Sequence, residues 1–287
     1  MPLIRRTITT PQADVSILEN GGPGMAVLLV HGNSSCKEVF LRQIEDPALS
    51  GYRMIAMDLP GHGASGDARE DSVYSIPGYA AAATNVLRAL DVREVVIFGW
   101  SLGGHISIEM LGEHPAIRGL MLVGAPPFAP GPLGMIRAFQ AQRGVLLATK
   151  GRFTPRDVQT FARICIGPNA APEFLNAIAR TDPKARTHLL RSMLAGLGKD
   201  QKRSVEQADV PIAVVNGIHE PFARLDYLSG LAWSDLWQNR CHVIADAGHA
   251  PFLEKPEEFN TLLAAFLRDV ALAGHRPTEA GRRRVAG

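Results

Sequence analysis

Val95-Val96-Ile97-Phe98-Gly99-Trp100-Ser101-Leu102-Gly103-Gly104 decides the fold of this chain. Its first four residues are apolar and mostly β-branched, a run suited to a short buried strand. From Leu102 to Glu113 the pattern is helical. Between the two lies Gly-x-Ser-x-Gly, the mark of a tight strand-to-helix turn that lifts a serine clear of the sheet. The turn is so tight that side chains at the glycine positions would meet the neighbouring strand and helix. A serine so placed stands at a helix N-terminus, where the aligned peptide dipoles favour developing negative charge. A five-residue pattern also arises by chance, and such a serine is equally an ordinary helix cap. The rest of the chain has to supply its partners.

Outward from this stretch, other short apolar runs end in turn residues. They are Met25–Val30, Met54–Met57, Leu120–Val123, Ile212–Val215 and His242–Ala245. Apolar on both faces and rich in Val and Ile, they predict buried parallel strands. Helical patterns over Ala80–Leu90, Leu102–Glu113 and Pro256–Ala273 alternate with them. The fold class is therefore α/β, a mostly parallel, doubly wound sheet with helices on both faces. Arg5–Thr9 and Asp14–Glu19 predict an antiparallel hairpin at one edge.

The alternation stops near Pro126, where Pro126-Pro127-Phe128-Ala129-Pro130-Gly131-Pro132 can continue neither helix nor strand. From there to Asp209 only helical segments follow: Gly134–Leu147, Pro155–Ile166, Pro172–Arg180 and Pro183–Ala195. This organisation gives a core of residues 1–126 and 210–274, a helical cap of 127–209 inserted between two core strands, and a disordered tail of 275–287. The cap holds 13 Lys and Arg against 6 Asp and Glu, a balance that describes a solvated outer face. Its apolar residues Leu133, Met135, Ile136, Phe139, Leu146, Leu147, Phe153, Phe161, Ile164 and Phe174 are expected to form cap core, with a subset lining an apolar channel.

The whole chain of 287 residues is 46% apolar and 20% charged, with a formal net charge of +2. That is the balance of an ordinary soluble domain, too weakly basic for nucleic acid or an anionic membrane. No apolar run is long enough to span a bilayer, and Met1-Pro2-Leu3-Ile4-Arg5-Arg6 is not a signal peptide. Cys36, Cys165 and Cys241 are odd in number and far apart, which predicts free buried thiols in a reducing cytoplasm. Neither a metal site nor a cofactor is expected: Cys241 and His242 are adjacent on a strand and face opposite ways. The expected partner is a small acyl substrate, with the protein a monomer or a homodimer.

A base for Ser101 should follow the last strand, and His249 does so in Asp246-Ala247-Gly248-His249-Ala250-Pro251-Phe252. There an imidazole can accept the Ser101 proton and return it to a leaving group. His31 and His62 sit in turns beside the same sheet edge, where they are expected to hold loops by hydrogen bonds. The orienting acid should follow the preceding strand, in the order serine, acid, histidine. Glu220 is the only carboxylate in Asn216-Gly217-Ile218-His219-Glu220-Pro221-Phe222, with Asp226 and Asp246 as alternatives. Two backbone N–H groups should form an oxyanion hole, one from Leu102 and one from the His31–Ser35 loop, where Asn33 is the best placed. Asn33 could also offer its side-chain amide to the substrate. Trp100 is either a wall of the core or a contact for the acyl amide.

The motifs His31-Gly32-Asn33, Asp58–Ser65 (DLPGHGAS), Gly99–Gly104 (GWSLGG) and Asp246–Phe252 (DAGHAPF) resemble the α/β-hydrolase superfamily across residues 3–273. The stretches at 31–35, 98–110, 124–127, 212–222 and 242–252 are more specifically similar to the serine-dependent N-acyl-homoserine lactonases. That resemblance implies a Ser-His-Glu triad of Ser101, His249 and Glu220 and hydrolysis of a signalling lactone without metal. It also implies a substrate contact at Phe161, which stands where that family carries a cap tyrosine. No His-x-His-x-Asp-His cluster exists for a two-metal lactonase. Serine at the elbow excludes the carboxylate nucleophile of epoxide hydrolases and dehalogenases. An esterase or carbon–carbon bond hydrolase with the same machinery remains open, as does a ligand-binding receptor on a hydrolase scaffold.

Overall fold

The computed structural model describes residues 3–114, 116–140 and 143–274. The predicted hairpin and runs become β1 (Ile4–Thr9), β2 (Asp14–Glu19), β3 (Ala26–Val30), β4 (Arg53–Met57), β5 (Val95–Trp100), β6 (Ile117–Val123), β7 (Ile212–Gly217) and β8 (His242–Ile244). They form one sheet in the order β1-β2-β4-β3-β5-β6-β7-β8. β1 pairs antiparallel with β2, and β2 with β4; every later pairing is parallel.

Two-residue periodicity explains why the inner strands are apolar throughout. One face of the sheet carries Val27, Leu29, Val96, Phe98, Met121, Val123, Ala213 and Val215; the other carries Leu28, Val30, Val95, Ile97, Leu120, Leu122, Ile212 and Val214. Helices cover both faces. In chain order they are α1 (Leu41–Ile44), α2 (Ile76–Ala89), α3 (Leu102–Met110), then α4 (Pro132–Ala138), α5 (Arg143–Ala148), α6 (Pro155–Cys165), α7 (Pro172–Arg180), α8 (Pro183–Leu194) and α9 (Gln201–Glu206) between β6 and β7. α10 (Leu225–Ser229), α11 (Pro251–Glu254) and α12 (Pro256–Gly274) complete the chain as described. Phe259, Leu263 and Phe266 of α12 pack on the first face, while Tyr79, Ala83 and Val86 of α2 and Ile106 of α3 pack on the second.

The helices start where local chemistry allows. Ser75 accepts from the Gly78 N–H ahead of α2, and Thr154 and Asp157 form a reciprocal capping box on α6. Asp182 likewise accepts from the Lys184 N–H at the start of α8.

Several expectations need correction. The helix predicted over Gly134–Leu147 is two, α4 and α5, because Phe139 is extended and bridges to Ala223. The Gln140 N–H donates to the Phe222 carbonyl at 2.7 Å. A long-range pairing thus breaks a helix that local propensity would continue. α3 ends at Met110 and not Glu113, since Leu111 is extended and Gly112 has a positive φ. α9, α10 and α11 are too short for periodicity to reveal. Leu133 and Ile136 are not cap core; they are 61% and 70% exposed. Cys36 and Cys165 are buried, but Cys241 is only half-buried. The side chain of Leu146 and the tail of 275–287 lie outside the described residues. Among the described residues no helix is long and apolar enough to cross a membrane.

Candidate active site

β3 pairs with β4 on one side and β5 on the other, so the chain direction of winding switches beside β3 and β5. In open α/β sheets such a switch leaves a crevice beyond the carboxyl ends of the strands. The loop after β3 and the turn after β5 both open into it.

Ser101 closes β5 and caps α3 with φ 54° and ψ −118°. A left-handed backbone at a serine costs about 1–3 kcal/mol and persists only where its surroundings fix it. Here the Ser101 N–H donates to the Val123 carbonyl at 2.7 Å, and the Ser101 carbonyl accepts from the Gly104 N–H at 2.9 Å. The turn also needs the close approach that Gly103 permits: a Cβ there would lie 2.0 Å from the Val30 carbonyl oxygen. Ser101, Leu102, Gly32, Asn33 and His249 line one cavity of about 150 Å³.

His249 sits in the loop after β8 and is almost wholly buried. Its Nδ1 lies 2.8 Å from Glu220 Oε2 and 3.0 Å from Oε1. A carboxylate only accepts, so Nδ1 carries the hydrogen and the lone pair remains on Nε2. Glu220 Oε1 also accepts from the backbone N–H groups of Phe222 (2.7 Å) and Ala223 (3.1 Å), which fix the carboxylate. Gly124, at φ +61°, leaves room for the ring: a Cβ there would fall 2.5 Å from His249 Cε1. Its N–H donates to Asn216 Oδ1 at 2.8 Å. Of the alternative acids, Asp226 is exposed and paired with Arg224, and Asp246 is exposed. Only Glu220 reaches the histidine.

The other predicted residues take definite places. Trp100 lines the cavity, but its indole N–H donates to the His249 carbonyl at 2.8 Å. The ring therefore offers a wall, and its polar atom steadies the histidine loop. Asn33 Nδ2 donates to the Ala148 carbonyl in the cap at 2.9 Å, so one of its two amide hydrogens is already engaged. Phe161 of α6 lines the cavity edge-on to Phe153. His31 and His62 hold turns. His31 Nε2 accepts from the Leu59 N–H while Nδ1 donates to the Gly32 carbonyl, and His62 Nδ1 donates to the Pro60 carbonyl. Burial lowers the pKa of both.

Sequence reasoning missed several lining residues, among them His105, Cys165, Arg186 and Met193. Arg186, Leu189, Leu190 and Met193 of α8 fall at one-face helical spacing, a signal present in the sequence. Burial lowers the His105 pKa to about 4, leaving it neutral beside Gln201. Burial, reinforced by the charge of Glu220, pushes the Cys165 thiol well up, which keeps it protonated and inert. Among the described residues no group of three or more His, Cys, Asp or Glu is arranged to hold a metal ion.

The family described as alpha/beta hydrolase fold matches residues 25–256. The chain is an α/β hydrolase. Among solved structures, it is 42% identical to the N-acyl homoserine lactonase AidH complexed with N-butanoyl homoserine, with a TM-score of 0.90 over 93% of this chain and 97% of that one. A serine-to-glycine mutant of AidH, complexed with N-hexanoyl homoserine lactone, is 41% identical with the same TM-score and covers 93% of this hydrolase and 98% of its own chain. The pimeloyl-(acyl-carrier protein) methyl ester esterase of Xanthomonas axonopodis pv. citri (strain 306) is 30% identical over 87% of this hydrolase and 97% of its own length.

Proposed function

We propose that this α/β hydrolase opens the lactone ring of N-acyl-homoserine lactones through Ser101, His249 and Glu220. The observation that carries the proposal is that Ser101 and His249 open onto one apolar cavity, with His249 paired behind it to Glu220, in a chain 42% identical to a homoserine lactonase. Two AidH mutants with bound ligands replace a serine and a glutamate, the residue types proposed here as nucleophile and orienting acid.

His249 Nε2 takes the hydroxyl proton as Ser101 Oγ attacks the lactone carbonyl. The oxygen of the tetrahedral adduct accepts from the backbone N–H groups of Leu102 and Asn33, each worth roughly 3–4 kcal/mol in such sites. The carbon–oxygen bond of the ring then breaks, and the proton on Nε2 passes to the ring oxygen, which becomes the homoserine hydroxyl. That hydroxyl stays tethered to the acyl-enzyme. Water, deprotonated by His249, attacks the ester carbonyl and releases N-acyl-homoserine and free Ser101. Glu220 holds the imidazole in the Nδ1–H form and stabilises the imidazolium. Trp100, Phe139, Phe161 and Met135 supply an apolar surround for the acyl chain.

Esters are the second class of substrate, supported by the likeness to a methyl ester esterase. The machinery is indifferent to whether the leaving alcohol is tethered, so kcat/KM for acyl-homoserine lactones against aryl esters separates the two. The proposal expects lactone turnover in the presence of a chelator and none in Ser101→Ala. Lactone hydrolysis that survives Ser101→Ala, or that a chelator abolishes and zinc restores, sinks it.

A further inference from the structure

Arg186 of α8 is a buried cation with no carboxylate at ion-pair distance among the described residues. Removal from water costs a guanidinium several kcal/mol, so its retention calls for a reason. Burial lowers its pKa to about 10. Its donors point three ways. Nε donates to Ser34 Oγ at 2.8 Å, Nη1 to the Gly151 carbonyl at 2.7 Å, and Nη2 to the Ile178 carbonyl at 2.7 Å. Its Cζ lies 4.0 Å from the centre of the Phe153 ring. One side chain thus ties α7 and the segment after α5 to a core loop.

The core end of this clamp is the loop beside the nucleophile. Ser34 is fully buried and left-handed, with φ 56°, a strained conformation that needs outside support. That support is visible: its hydroxyl accepts from Arg186 and donates to Asn33 Oδ1 at 3.0 Å. Asn33 Nδ2 continues to the Ala148 carbonyl at the end of α5. The loop is therefore clamped to the cap at two adjacent points, through the Asn33 side chain itself and through Ser34.

We propose that Arg186 and Ser34 are positioning residues that hold the Asn33 N–H at the oxyanion of the Ser101 adduct by fixing this loop against the cap. The proposal rests on the role given to the Asn33 N–H above. Ser34 does not line the cavity, and Arg186, which does, has each of its three nitrogens donating to the protein, so both act through the loop. A fork with three directed donors is needed, so lysine cannot replace Arg186.

The test compares wild type with Ser34→Ala, Arg186→Lys and Arg186→Gln on p-nitrophenyl butanoate and on N-hexanoyl homoserine lactone. A butylboronic acid, which adds to a serine hydroxyl as a tetrahedral anion, serves as probe of the oxyanion site. Ser34→Ala is expected to lose about 10-fold in kcat and Arg186→Gln about 10- to 100-fold on both substrates. KM should stay within about twofold of wild type, the boronate should weaken in parallel with kcat, and Arg186→Lys should fail to rescue. Ser34→Ala removes a single hydroxyl and carries the test if the arginine variants do not fold. Wild-type kcat in Ser34→Ala, or losses confined to KM or melting temperature, overturns the positioning role. If wild type hydrolyses the ester but not the lactone, the lactonase proposal fails and the ester ratios still decide this one. No boronate binding to wild type overturns both.

Discussion

The two parts of this hydrolase, the sheet with its flanking helices and the helical insertion between β6 and β7, are built by different rules. The sheet's inner strands are buried on both faces, and the proposed catalytic residues sit just past strand ends, held by short backbone contacts. The insertion is made of short helices, several of which (α4, α6 and α8) turn apolar residues to the cavity, with Leu133, Ile136, Leu194 and Leu197 left exposed. Ser101, Leu102, His249 and Glu220 all belong to the first part, and Phe161, Met135, Phe139 and Cys165 to the second. Geometry that must hold to a fraction of an ångström lives on the sheet; the shape that selects an acyl group lives on the insertion. Substitutions in the sheet, and in the Arg186 clamp that reaches it, should therefore damage every substrate alike, whereas those in the insertion's apolar cavity wall should change the ratio between substrates.

The largest test of that contrast is Glu220→Gln. It keeps the shape but offers Nδ1 of His249 a weaker, neutral partner, and kcat should fall about 10³-fold on lactone and ester equally. Steady-state kinetics on both substrates check the equality; a loss confined to one of them breaks the contrast.

His105 lies at the seam, on α3 of the core but hydrogen-bonded to Gln201 of α9. Burial lowers its pKa from 6.5 to about 4, so between these values the unfolded chain binds more protons than the folded one. Stability is therefore complete above pH 6.5 and is lost as the pH falls towards 4, by about 2 kcal/mol at pH 5 from this residue. Buried His31 and His62, also lowered, add in the same direction. Urea denaturation at pH 7.5 and 5 should show the loss, and His105→Asn should make it smaller. A smaller effect is expected from Phe161→Ala, which widens the cavity. It should shift the kcat/KM ratio of long to short acyl lactones by about 10-fold in favour of the longer chain, with kcat on a small ester nearly unchanged. The smallest is Ile136→Ser at an exposed position: stability should change by under about 0.5 kcal/mol, read by urea denaturation.

The same division explains what could be read from the chain alone. Strand ends, the elbow and the His249 loop are encoded within a few residues, by apolar runs closed with glycine or proline, so the fold and the position of the candidate nucleophile were legible. The acid was less so, because Glu220, Asp226 and Asp246 differ only in where the backbone carries them; Oε1 of Glu220 is aimed by N–H groups of Phe222 and Ala223. In the insertion, Phe139 leaves its helix to pair with Ala223, more than 80 residues away. No local pattern encodes that. Trp100 could not be assigned from sequence, since its N–H partner is the distant His249 carbonyl. Arg186 shows the opposite case: its helical stripe was present, but a lone arginine in a basic cap reads as solvated surface until its buried acceptors are seen.

The central claim is that Ser101 is acylated by a lactone whose leaving group stays attached. Rapid-quench mass spectrometry of the protein mixed with N-hexanoyl homoserine lactone tests it most directly. The predicted result is a transient adduct equal in mass to the entire lactone, on the peptide carrying Ser101 and absent from Ser101→Ala. Lactone turnover with no such adduct, undiminished in Ser101→Ala, would contradict it.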